Sequence, residues 1–124
     1  MGYRSNVVAL LYAPKDGFSS LKLFIDEHFP FDKEREGFNL TMFETEDLKG
    51  FKMEESDIKW YDSFSSVQKF YAFVEAYKEL LHGVPMPWHY EFIRIGEETD
   101  DIEVEQTSDC YYLLAISRSI ESEV

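Results

Sequence analysis

The chain has 124 residues, of which 44% are hydrophobic and 17% aromatic, which is enough apolar material for one well-filled core. This composition excludes an intrinsically disordered chain, and no apolar run approaches the roughly 20 residues that a membrane-spanning helix needs. Twelve basic against 25 acidic side chains give a net charge of -13, so we expect no direct binding to nucleic acid and none to a membrane surface. One domain is predicted over residues 1–124.

The first quarter of the chain predicts a buried strand followed by a helix. Residues 5–12 are apolar at both odd and even positions and are bounded by Pro14, which is typical of a central strand. Residues 18–29 carry apolar side chains at the spacing of one helical face, and Pro30 ends that helix.

A shorter pair of strands is predicted next. Residues 38–43 alternate between apolar and polar side chains, as a half-buried strand does. Residues 48–50 are interpreted as a turn because they end in a glycine, and residues 51–53 as a short returning strand. Residues 57–61 are expected to be extended or looped.

The second helix has the clearest pattern. Ser65 and Gln68 fit a capping box, and apolar residues then recur at helical spacing as far as Leu81. Gly83 is a natural C-terminal stop, and Pro85 is expected to prevent the helix from resuming.

The last third predicts strands over residues 88–95, 101–107 and 111–120, with a turn at 96–100. The element order is therefore β-α-β-β-α-β-β-β. We predict an α+β fold in which two helices cover one face of a mainly antiparallel sheet, with a ferredoxin-like βαββαβ core extended by the C-terminal strands. Another α+β topology with this element order stays open.

Signatures of catalysis and of bound cofactors or metals are not found in the sequence. The six glycines are not grouped into a phosphate-binding loop, and no Gly-x-Ser-x-Gly elbow occurs. The single cysteine, Cys110, is interpreted as a small core residue, and His28, His82 and His89 lack the spacing of metal ligands. The prediction is a protein without enzymatic activity and without a cofactor.

Acidic side chains are concentrated in the second half of the chain. Residues 61–124 hold 4 basic and 13 acidic side chains, whereas residues 1–60 hold 8 and 12. This concentration serves either solubility or the binding of a basic partner, including a nucleic-acid-binding protein. The candidate surface comprises Glu97, Glu98, Asp100, Asp101, Glu103 and Glu105.

The strand over 101–107 is expected to turn Ile102 and Val104 inward and Glu103 and Glu105 outward. Carboxylates two residues apart on a strand lie roughly 6.6 Å apart, on the order of the phosphate spacing of a nucleic acid. The alternative is that a row of glutamates only protects a sheet edge against aggregation. Arg94 is expected to pair with an acidic neighbour.

Two aromatic clusters complete the candidate surface, one at Trp60 and Tyr61 and one at Trp88. Most aromatic side chains of so small a domain must lie in the core. Trp88 follows a Pro-x-Pro segment and is expected to be partly exposed. An exposed Trp or Tyr beside acidic residues is typical of a protein-binding hot spot.

Five short segments resemble small, acidic, uncharacterised proteins encoded by tailed bacteriophages. These are GYRS at residues 2–5, DIKWY at 57–61, FIRIGEE at 92–98, DDIE at 100–103 and SRSI at 117–120. The resemblance implies a phage origin and a location in the host cytoplasm, and it supplies no activity and no catalytic residues.

The sequence therefore favours a non-enzymatic phage accessory protein that modulates or inhibits a host protein with a basic surface, using an acidic, aromatic-edged surface. Nucleic-acid mimicry is one version of this hypothesis. Two alternatives stay open: a small ligand-binding domain or enzyme with its site near residues 85–90, and a module that self-associates through its sheet, for example as a homodimer.

Overall fold

The computed structural model describes residues 3–31, 37–81, 88–98, 100–107, 110–116 and 120–124. Its fold is α+β, with a mainly antiparallel sheet of five strands and two helices, which confirms the predicted class. None of the helices in these ranges has the length and apolar character needed to cross a membrane. The elements are β1 (Ser5–Pro14), a 3-10 turn (Lys15–Gly17), α1 (Phe18–His28), β2 (Thr41–Glu44), β3 (Leu48–Ile58), α2 (Ser65–Leu80), β4 (His89–Ile95), β5 (Ile102–Gln106), β6 (Leu114–Ile116) and β7 (Ile120–Ser122).

The sheet has the strand order β2-β3-β1-β4-β5, and every neighbouring pair is antiparallel. β1 lies in the centre, which explains why it is apolar at both odd and even positions. Its odd residues pack in one cluster and its even residues in another, on opposite faces of the sheet. β2 and β5 form the two edges.

The first face of the sheet is covered by the helices. Residues of α1 and α2, such as Leu21 and Phe70, belong to the same buried cluster as Val7 and Phe92 of the central strands. Aromatic rings dominate this core: the centroid of Phe70 lies 5.5 Å from that of Trp60 and 5.7 Å from that of Phe92. Aromatic side chains therefore supply much of the apolar surface that is buried on this face.

The second face of the sheet is partly covered by the C-terminal segment, the part of the chain after β5 that contains β6 and β7. β6 and β7 pair with each other in a separate two-stranded sheet and do not extend the main sheet. Leu114 joins Leu10, Tyr12 and Ile93 in the buried cluster of this face. Among the described residues of the last third of the chain, β5 is the strand that extends the sheet beyond β4. The prediction of one strand over 111–120 is wrong, because β6 and β7 pair with each other there.

The hairpin between β2 and β3 also differs from the prediction. The strand predicted over 38–43 begins only at Thr41, and residues 48–50 lie inside β3 and not in a turn. The chain reverses just before them, where the main-chain N–H of Thr45 donates to the carbonyl of Leu48 at 2.9 Å. Gly50 is needed for another reason: a Cβ there would collide with Tyr12 and with the backbone of Leu11 on β1.

The predicted capping box at the start of α2 is not formed. The N-cap residue is Phe64, which has no capping side chain, and Ser65 is the first residue of the helix. The side chain of Gln68 instead donates to the carbonyl of Asp62 at 2.9 Å. The helix therefore begins as predicted although the expected capping hydrogen bonds are absent from this described segment.

Candidate binding surface at the β5 edge

The side chains of β5 face the opposite way to the prediction. Val104 pairs with Ile93 of the second face, whereas Glu103 pairs with Arg94 on the helix side. Ile102 and Val104 are 43% and 51% exposed, and the side chains of the glutamates point toward α2 and Arg94. The expectation that Ile102 and Val104 lie inward is therefore wrong.

Arg94 holds the start of β5 through two carboxylates. Its guanidinium donates to Asp101 at 2.8 and 3.2 Å, to Glu103 at 3.1 Å and to the hydroxyl of Ser5 at 3.2 Å. These hydrogen bonds lower the pKa of Asp101, to which Tyr3 also donates, and the carboxylates raise the pKa of Arg94. The predicted pairing of Arg94 with an acidic neighbour is confirmed.

α2 holds the rest of β5 through two further side chains. The hydroxyl of Tyr71 lies 3.0 and 3.1 Å from the carboxylate oxygens of Glu103, and it accepts a hydrogen bond from the indole of Trp60 at 3.1 Å. Burial, with the neighbouring Glu103, raises the pKa of Tyr71 to about 12. Lys78 forms an ion pair with Glu105. The glutamates of β5 thus bind the strand to the helix layer.

The turn before β5 is closed by Tyr3. Its hydroxyl donates to Asp101 at 2.6 Å and accepts from the main-chain N–H of Glu98 at 3.0 Å. The hydrogen bond to Asp101 raises the pKa of Tyr3. On this turn Glu97, Glu98 and Asp100 are exposed. The six carboxylates of the predicted surface therefore fall into two groups. Asp101, Glu103 and Glu105 are paired with cations, and Glu97, Glu98 and Asp100 are exposed on the turn.

The aromatic part of the predicted surface is mostly in the core. Trp60 and Trp88 are only 7% and 4% exposed and pack against the helices, so the expected partial exposure of Trp88 is wrong. Tyr61 is half-buried, with its ring centroid 5.0 Å from that of Phe64. These residues do not lie on one exposed face with the carboxylates.

Two tyrosines that the sequence reasoning did not single out are exposed next to the C-terminal segment. Tyr111 and Tyr112 lie outside any strand, and Tyr112 has a backbone φ of 53°. This left-handed conformation, rare for a bulky residue, turns the chain before β6. In the sequence, residues 111–116 are apolar at both odd and even positions, which is why Tyr111 and Tyr112 were assigned to a buried strand.

A buried carboxylate on β4 was also missed. Glu91 is almost fully buried and accepts hydrogen bonds from the main-chain N–H groups of Leu113 and Leu114, each at 3.0 Å, and from the hydroxyl of Tyr12. Tyr12 in turn accepts from the N–H of Tyr111 at 2.8 Å. Burial first, and then Glu91, raises the pKa of Tyr12 well above its usual value.

The contacts of Glu91 give it a structural role. Both of its oxygens are occupied by donors of the protein, so the carboxylate fixes the C-terminal segment to the sheet. Cys110 is buried beside this network, as its interpretation as a core residue requires. The signal in the sequence was a lone glutamate between Tyr90 and Phe92 in a strand that is otherwise buried.

The remaining predictions concern ligands. Within the described ranges, no group of three or more His, Cys, Asp or Glu side chains is arranged to hold a metal ion. Of the alternative site near residues 85–90, residues 85–87 lie outside the described part of the chain, and residues 88–90 are buried. Residue 2 and residues 117–119 of the phage-like segments also lie outside the described part.

Comparisons with known proteins give no relative from which a function follows. No protein-family model matches the chain, and neither the curated proteins nor the solved structures contain a match.

Proposed function

We propose that the chain is a non-enzymatic phage accessory protein that works in the host cytoplasm by binding and modulating or inhibiting a host protein. The observation that carries this proposal is the exposure of Ile102 and Val104 beside the acidic turn of Glu97, Glu98 and Asp100. The phage-like segments and the net charge of -13 support it as well.

Exposed apolar side chains bordered by charge are what a protein-binding surface needs. Each apolar Å² removed from water contributes about 25 cal/mol, so Ile102 and Val104 favour contact with another macromolecule. The carboxylates of the turn attract a basic partner and speed its association. We infer that the acidic turn selects a basic surface and that the apolar side chains hold it.

Nucleic-acid mimicry receives less support than binding to a basic protein surface in general. Asp101, Glu103 and Glu105, half of the predicted acidic row, interact with Arg94 and Lys78. A carboxylate already paired with a cation is a poor substitute for a phosphate. Mimicry would then rest on the three carboxylates of the turn alone.

We further propose that the first six elements form a ferredoxin-like arrangement. Its support is the strand order β2-β3-β1-β4 with antiparallel pairs throughout, together with residues of both helices in one core cluster. β5 then extends this arrangement, and the β6–β7 hairpin is an addition on the second face.

Affinity capture from host lysate tests the proposed function. The variant Glu97→Lys/Glu98→Lys reverses the charge of the acidic turn, and Glu46→Lys/Asp47→Lys makes the same change at the exposed turn before β3. We expect the wild-type chain and the Glu46/Asp47 variant to capture the same host protein, and the Glu97/Glu98 variant to lose it. Raised salt should also weaken capture. Equal capture by both variants, or no specific capture by the wild type, would contradict the proposal.

A further inference from the structure

The outer edge of β5 is free for main-chain hydrogen bonds within the described part of the chain. The N–H of Gly96 donates to the carbonyl of Asp101 at 2.8 Å, and that of Thr107 donates to Tyr90 at 3.0 Å. Hydrogen bonds of an antiparallel pair recur at every second residue, so odd-numbered residues of β5 bond to β4. The N–H and C=O groups of Val104 and Gln106 therefore point away from the sheet.

The two rows of side chains along this edge differ in character. Ile102 and Val104 form an exposed apolar row on the second face, while Glu103 and Glu105 form an acidic row on the helix side. Cross-strand neighbours on one face contact each other, so each row sets the side chains that a neighbouring strand would carry.

We propose that β5 binds an extended segment of a partner protein as a sixth strand, and that this segment alternates basic and apolar side chains. This inference rests on the proposed function and specifies its binding mode. The main chain of the segment pairs with Val104 and Gln106. Its apolar side chains continue the row of Ile102 and Val104, and its basic side chains lie beside Glu103 and Glu105.

Charge complementarity favours this occupant over a second copy of the chain. If two β5 strands paired antiparallel about Val104, Glu103 of each copy would lie opposite Glu105 of the other. Like charges directly opposite each other destabilise a strand pair, and each copy carries a net charge of -13. A basic segment avoids this repulsion and is attracted by the chain as a whole, in which 25 acidic side chains outnumber 12 basic ones.

A synthetic peptide tests the binding mode directly. The probe is acetyl-Lys-Val-Lys-Ile-Lys-Val-Lys-amide, and its control has the same composition with the lysines grouped together. Val104→Pro removes an outward N–H without removing a bond to β4, which an edge strand tolerates. Met42→Pro is the matched control on the opposite edge, because Met42 is 53% exposed and its N–H points away from β3 in the same way.

We expect the alternating peptide to bind the wild type and Met42→Pro equally, and Val104→Pro at least about tenfold more weakly, in titrations by calorimetry. Circular dichroism checks that both proline variants fold. If Val104→Pro does not fold, Ile102→Lys/Val104→Lys takes its place, with Met42→Lys as its control. Equal affinity of Val104→Pro and Met42→Pro, or of the grouped and alternating peptides, would overturn the proposal.

Two further outcomes separate the possible failures. A dimeric mass of the wild type in sedimentation that becomes monomeric in Val104→Pro would assign the edge to a second copy and overturn the proposed occupant. Capture of a host protein that depends on Glu97 and Glu98 but is unchanged by Val104→Pro would overturn strand addition and leave the proposed function standing.

Discussion

On the second face of the sheet, the two edge strands differ in how far their apolar side chains are covered. On β2, Phe43 is half-buried, with its ring centroid 6.1 Å from that of Tyr12. The end of the chain reaches this side, where Lys52 donates to the carbonyl of Val124 at 2.8 Å. On β5, Ile102 and Val104 face the same side of the sheet and are exposed.

The two edge strands, β2 and β5, also differ in the balance of acidic and basic side chains around them. Near β2, Lys15 forms an ion pair with Glu44 at 3.1 Å, and the ammonium group of Lys49 lies 4.7 Å from the ring centroid of Phe18. Near β5, the cations Arg94 and Lys78 are outnumbered by the carboxylates of the strand and its turn. The C-terminal segment thus packs over the central strands of the second face and leaves Ile102 and Val104 on β5 exposed.

The largest expected effect comes from releasing the C-terminal segment. Glu91→Ala leaves the N–H groups of Leu113 and Leu114 without their acceptor, so we expect the free energy of unfolding to fall by about 3 kcal/mol. Urea denaturation measures this loss, and binding of a hydrophobic dye should rise as the second face is uncovered. Glu121→Ala, at an exposed position, is the control with a change below about 0.5 kcal/mol. A loss below about 1 kcal/mol for Glu91→Ala would show that Glu91 does not fasten the segment.

Truncation on the two edges should sharpen the comparison. Phe43→Ala removes a half-buried ring and is expected to cost about 2 kcal/mol, whereas Val104→Ala on the open edge should cost less than about 0.5 kcal/mol. Both values come from the same urea titration. Similar losses at the two positions would mean that β5 is covered to the same extent as β2.

Removing the guanidinium of Arg94 tests how much its ion pairs with Asp101 and Glu103 stabilise the fold. Arg94→Met leaves Asp101 and Glu103 without this partner, and we expect a loss of about 1 kcal/mol at neutral pH. The pKa of Asp101 lies below its ordinary value of 3.8, so its contribution is present above that pH and is lost as the pH falls through the lowered value. The variant and the wild type should therefore converge in stability in acid. If the difference in the free energy of unfolding between the variant and the wild type stays constant as the pH falls below 3.8, the effect comes from packing of the aliphatic part of the Arg94 side chain.

The smallest expected effect concerns the contact between α2 and β5 at high pH. The pKa of Tyr71 is raised from 10.0 to about 12, so the folded state retains a proton that the unfolded state releases. Its contribution is fully present below pH 10 and decreases between pH 10 and 12. We expect Tyr71→Phe to show a shallower fall in stability than the wild type over this interval, measured by thermal unfolding. Parallel curves would contradict the assignment.

Elements with a strong local pattern were predicted well. Residues 5–12 are apolar on both sides of the strand, and β1 is indeed the central strand, Ser5–Pro14. The helical spacing of residues 18–29 corresponds to α1, Phe18–His28. In these segments the local pattern and the burial in the fold agree, so the sequence alone was sufficient.

Features set by distant contacts were not predicted. Glycine at position 50 indicated a turn, whereas its role is to let β3 approach Tyr12 on β1. The alternation in β5 correctly predicted a strand, but the rule that apolar side chains point inward gave the wrong face. Arg94 and Lys78 on the helix side attract the glutamates, and neither is adjacent to β5 in sequence.

The most direct test of the open edge is amide hydrogen exchange of the whole chain, with and without the host protein that it captures. We expect binding to slow amide exchange at Val104 and Gln106, while exchange at Met42 and Glu44 on β2, the opposite edge of the sheet, keeps its rate. Unchanged exchange at Val104 and Gln106, or equal slowing on β2 and β5, would contradict it.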